Sequence, residues 1–151
     1  MRLVLVALVL SGVAGSAVAQ EWRSTGKGEG GAAFFSRDGR PAGARITCLP
    51  GGRIAITAAG NGARFPADRP VTLVISVDGM GFSGEARVEP EGPGGGSRFV
   101  RVVESGETAA ILAALKRGKS VEVSSPAGFM RLPLRGSGKA ISALAPVCAS
   151  P

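Results

Sequence analysis

The sequence predicts an α+β fold, mainly antiparallel β and sandwich-like, with about seven or eight short strands and two short helices in the C-terminal third. Three observations predict it. Apolar and polar residues alternate over short runs, most clearly at 71–77, where Val71, Leu73, Ile75 and Val77 fall on one face. Clusters rich in glycine and proline punctuate those runs. The period then changes from two to 3.6, and Ile111, Leu112 and Leu115 fall on one helical stripe.

The chain opens with Met1-Arg2, an uncharged apolar run over 3–10 and small residues ending in Ala17-Val18-Ala19. This is the pattern of a cleavable signal peptide over 1–19, cut before Gln20, and it predicts a periplasmic or secreted protein. The apolar run is shorter than the roughly 20 residues that span a bilayer, and no later segment reaches that length. With the leader removed, 151 less 19 leaves 132 residues, the size of one domain over 20–151.

Within that domain, residues 20–45 carry Trp22, Phe34 and Phe35 among many glycines, and the aromatics predict that this segment docks on the core around a flexible loop at 26–31. Runs at 44–49 and 53–58 around Pro50-Gly51-Gly52 predict a hairpin. Asp78-Gly79 ends the strand at 71–77 in a turn, and 82–88 supplies its hairpin partner. Residues 89–97 are too rich in glycine and proline for regular structure, and 98–103 resumes an extended run anchored by Phe99.

Ser105 is placed to cap a helix from Gly106, with Glu107 near its positive end and Lys116-Arg117-Gly118 closing it. Residues 120–124 and 129–134 read as two strands, the second made an edge strand or its end by Pro133. A last helix over 138–145, capped by Ser137, turns Ala140, Ile141 and Leu144 inward, and Pro146 stops it before Cys148.

Cys48 and Cys148 are the two cysteines, and in an oxidising compartment they read as one disulfide tying the last helix to the first hairpin. A loop of about 100 residues is closed, which contributes up to about 5 kcal/mol in the chain-entropy model. There is no histidine and no tyrosine. Triads built on histidine are therefore excluded, two common acid-base groups are missing, and neither a metal nor a cofactor site is expected. Asp78 with Glu85, or Glu89 with Glu91, are the carboxylate pairs to weigh, but all four lie in turn-like or exposed contexts and read as solvated charge. Gly136-Ser137-Gly138-Lys139 has part of a phosphate-loop pattern, yet Pro133 and Ala140 stand where that signature needs glycine and Ser or Thr.

The whole chain holds 18 Lys and Arg against 11 Asp and Glu; loss of Arg2 leaves 17 minus 11, a mature net charge of +6. That charge favours acidic partners, an envelope protein or an anionic polysaccharide or lipid. The aromatic residues are scattered rather than interleaved with the arginines, so no specific nucleic-acid binding is expected. The candidate anion-binding corner is Arg131, Arg135, Ser137, Gly138 and Lys139, where two arginines alternate along an extended segment ahead of a helix N-terminus. Either these groups hold an anion, or Ser137 satisfies the helix amides and the arginines are solvated.

The C-terminal third, Val121-Glu122-Val123, then the run from Phe129 through Arg131-Leu132-Pro133-Leu134-Arg135-Gly136-Ser137 to Leu144, then Cys148, resembles the ending of the invasion-associated locus B family and related small exported proteobacterial proteins. The N-terminal half departs from that family's cysteine pattern. The resemblance implies an exported, non-enzymatic, β-rich domain associated with the envelope or host contact, with no catalytic residue to carry over. The function expected is thus that of a binding or accessory protein of the envelope acting by surface recognition. Two alternatives stand beside it: an inhibitor of an envelope hydrolase, and a glycan-processing enzyme with two carboxylates in one cleft.

Overall fold

The computed structural model describes residues 20–148; the expected leader at 1–19 lies outside the described residues. In chain order the elements are β1 (Glu21–Thr25), β2 (Ala32–Arg37), β3 (Arg40–Leu49), β4 (Arg53–Ala58), β5 (Val71–Val77), β6 (Met80–Pro90), β7 (Ser97–Val103), α1 (Ser105–Arg117), β8 (Ser120–Ser125), β9 (Gly128–Pro133) and α2 (Ser137–Cys148).

The strands form one sheet in the order β1-β2-β3-β4-β7-β6-β5-β8-β9, antiparallel at each pairing. β6 joins its two halves, pairing with β5 along its first part and with β7 along its last four residues. The sheet wraps almost into a barrel rather than splitting into the two layers of a sandwich. At the open seam the Trp22 amide donates to the Arg135 carbonyl (2.8 Å) and its indole N–H to the Pro133 carbonyl (3.1 Å). Thus β1 meets the end of β9 through one residue.

Alternation explains the interior. Ile46 and Cys48 of β3, Ile54 and Ile56 of β4, Leu73, Ile75 and Val77 of β5, Phe99 and Val103 of β7, and Val121 and Val123 of β8 are all buried on the inner face. Ile111, Leu112 and Leu115 of α1 join them, as do Ala140, Ile141 and Leu144 of α2. The two helices pack on each other, and α2 also packs against β1, β2 and β3. The disulfide joins Cys48 of β3 to Cys148 at the end of α2, with Cα atoms 5.2 Å apart.

Several expectations need correction. Among the described residues nine strands are present, because the glycine-rich start contains β1 and β2. Their period-2 signal is erased by an irregularity between Phe34 and Ser36, which leaves both Phe35 and Ser36 buried. Ser105 lies inside α1, whose N-cap is Glu104 without a side-chain cap. Gly118 is extended (φ −71°) rather than left-handed. What requires glycine there is space: a Cβ would strike the Val77 side chain and come within 2.8 Å of Leu134 Cδ1. Finally, α2 runs through position 146 to Cys148. Proline lacks the N–H for one helical bond, a loss tolerated in a last turn that Cys148 ties to β3.

Candidate functional site

The end of β9 turns at Gly136 (φ 79°) into α2. A side chain at Gly136 would press on the Trp22 carbonyl, so the corner is fixed by the contact that closes the sheet. Ser137 is buried, and its hydroxyl is within donating distance of the carbonyls of Leu115 (2.8 Å) and Leu134 (2.7 Å). It therefore serves as a donor that pins α2 to the end of α1, and not as the expected acceptor for the helix amides. Arg135 and Lys139 are exposed and form no ion pair among the described residues.

Arg131 stands apart from them. It shares the outer phase of the segment with Arg135 but is four residues away, about 13 Å along extended chain. Its guanidinium is paired with Glu122, its register partner on β8. Of the five residues singled out, Arg135, Gly138 and Lys139 hold the corner, Ser137 supports it from inside, and Arg131 belongs to the sheet face.

The corner opens into a cleft of about 360 Å³ between β1 and α2, lined by Glu21, Trp22, Arg23, Ser24, Gly136, Lys139 and Ala140. Arg23 thus joins Lys139 at one site. Arg23 bonds Glu21 within the cleft (3.1 Å), which leaves the Lys139 ammonium without a carboxylate among the described residues. Arg23 is absent from the candidates read from sequence, since its segment lacked a legible strand and only strand pairing brings it beside α2.

Of the four carboxylates weighed as acid-base pairs, Asp78 and Glu89 have structural partners. Asp78 accepts the Lys119 amide (2.8 Å) and the Ser120 amide (3.0 Å), and these bonds hold its carboxyl below the usual aspartate range. Glu85 sits five residues along β6 from its first residue, Met80, about 17 Å up the strand from the turn that holds Asp78, beyond the roughly 5–9.5 Å used by glycosidase pairs. Glu89 is held by Arg98 (2.9 Å) and Arg87 (3.5 Å), and Glu91 lines a separate groove beside Arg98. A shallow cleft does place Asp68 near Glu89, with Arg69 and Arg87 between the same walls. Among the described residues no cluster of three metal-ligating side chains occurs, and no helix is long and apolar enough to cross a membrane.

No family model matches the chain, and no curated protein matches it. Among solved structures, it is similar to invasion associated protein B from Bartonella henselae at 17% identity and a TM-score of 0.45, over 79% of this chain and 93% of that one.

Proposed function

We propose that the protein is an exported, non-enzymatic binding or accessory domain of the cell envelope, working in the periplasm or after secretion by recognising an acidic partner. The observation that carries this reading is the cleft where Arg23 and Lys139, from β1 and α2, face one space beside the exposed Arg135. Four of the acids, Asp78, Glu89, Glu107 and Glu122, are meanwhile committed to backbone amides or arginines. A disulfide-closed frame presenting Lys139 and Arg135 with no ion pair among the described residues is suited to recognition, because little ordering cost remains on binding.

The test is the double variant Arg135→Ala with Lys139→Ala, both exposed positions. Its affinity for anionic lipid vesicles and for polygalacturonate should fall about tenfold at low salt, the sum of two surface charges at about 0.5–1 kcal/mol each. The melting temperature should stay that of wild type. Equal binding by wild type and variant at low ionic strength would overturn this assignment of the corner.

A further inference from the structure

The strand register lines up one row of side chains across six strands. Arg23 of β1 is opposite Phe34 of β2, Phe34 opposite Arg45 of β3, Arg45 opposite Thr57 of β4, Thr57 opposite Val100 of β7, and Val100 opposite Arg87 of β6. Successive residues of a strand point to opposite faces. Since Ile46, Ile56 and Phe99 point into the core, this row lies on the outer face, where Val100 is covered (8% exposed) between Thr57 and Arg87.

At about 4.8 Å per strand, Arg23 and Arg45 are about 10 Å apart and Arg45 and Arg87 about 14 Å. The side chains of Arg23 and Arg87 are 50% and 72% exposed, and Arg45 forms no ion pair among the described residues. Among the described residues two carboxylates form ion pairs with the row: Glu21 pairs with Arg23 at 3.1 Å, and Glu89, held more closely by Arg98, reaches Arg87 at 3.5 Å. Such exposed pairs are worth about 0–1 kcal/mol, so a ligand anion can displace them.

A groove of about 220 Å³ opens beside Arg45 and Thr57, between Gly43 and Ala59, with Arg98 and Glu91 on its walls. At its other end the row reaches the cleft shared by Arg23 and Lys139.

We infer that this row is a binding track for a linear acidic polysaccharide, running from Arg87 across Arg45 and Arg23 to Lys139. The inference rests on the surface-recognition reading and names its partner and path. Guanidinium groups spaced along a line match carboxylates or phosphates recurring along a polymer, each able to take a bidentate pair. Phe34, half-buried in the row, offers a flat apolar surface between two cations, which suits the face of a sugar ring. A single-stranded nucleic acid needs successive exposed aromatics, and the row has one.

The experiment compares wild type, a row variant (Arg23→Ala, Arg45→Ala and Arg87→Ala together), Arg45→Lys, and the corner variant, each with its melting temperature. The probes are polygalacturonate, neutral dextran and oligodeoxythymidylate of matched charge. The row variant should bind polygalacturonate about tenfold or more weakly with a shallower salt dependence. Arg45→Lys should lose about threefold, because it keeps the charge but not the fork. Neutral dextran should not bind.

Wild-type failure to bind polygalacturonate at low salt overturns the track, and so does undiminished binding by a folded row variant. If the corner variant alone loses binding, the track fails while the recognition reading stands; if neither variant loses any, both fail. Tighter binding of the oligonucleotide than of polygalacturonate overturns the glycan assignment.

Discussion

Asp78 and Gly79 both take positive φ, 47° and 91°, in the two-residue turn between β5 and β6. The Asp78 carboxylate then bonds the amides that open β8, so one side chain sets a hairpin and fastens it to the next strand. Those amides favour the ionised form, and the folded carboxyl titrates below its unfolded value of about 3.9. A depressed carboxylate contributes stability above the unfolded pKa and loses it as pH falls through the folded one. Urea melts taken from pH 7 down to pH 3 should therefore show wild type losing more stability with acid than Asp78→Asn; parallel curves would contradict this role.

A second residue-scale device is Arg101, which is 4% exposed on the inner face of β7. Its guanidinium donates to the Phe82 carbonyl (3.1 Å) and to Glu107 of α1 (2.7 Å), filling space that a side chain at Gly84 would occupy. Glu107→Ala leaves that buried charge short of its partner and should cost about 1.5–3 kcal/mol in urea denaturation. Replacing both Arg101 and Glu107 by Met should cost less than the single change, since no charge is then stranded.

The elements differ in how far local sequence determines them. β5 is legible to its last residue because it buries one face and alternates without interruption, and β4, β8 and the second half of β3 (44–49) were legible for the same reason, whereas the first half of β3 was not and β9 buries only Leu132. The stripe of α1 was equally plain, with Ile111, Leu112 and Leu115 buried. β1 and β2 were not, because glycine-rich flanks and the irregularity at Phe34 hide the alternation that pairing restores. The cap at Ser137 was misjudged for a different reason. Ser137 is the first residue of α2 rather than the residue before it, and its hydroxyl is turned toward the Leu115 and Leu134 carbonyls instead of back over the helix amides. Gly118 gives the element scale its own prediction. Gly118→Ala drives a methyl into Val77 and Leu134 and should cost about 1–3 kcal/mol as overpacking, measured by thermal or urea melts, although the backbone there suits any residue.

At the scale of the whole molecule, the disulfide and the Trp22 contacts both act on closure. Cys48 and Cys148 are 100 residues apart in sequence, so their bond closes a loop over everything from the end of β3 to the end of α2. Cys148→Ser should lower stability by about 4–5 kcal/mol in the chain-entropy model, read by urea melts against the oxidised protein. The cysteine pair was legible from its count and expected compartment, whereas the barrel-like wrap was not. Curvature arises where β6 changes partners from β5 to β7, and no local pattern marks that change. The same limit applies to the candidate site. Arg135 and Lys139 adjoin in sequence, but Arg23, Arg45 and Arg87 become one row only through register.

The central claim, recognition of an acidic glycan along that row, is tested most directly by amide chemical shifts during titration of the protein with polygalacturonate at low salt. Saturable shifts should concentrate at Arg23, Phe34, Arg45, Thr57 and Arg87 and at Lys139, while Met80 and the outer face of α1 stay still. Absence of shifts, or shifts spread evenly over the basic residues of the surface, would contradict it.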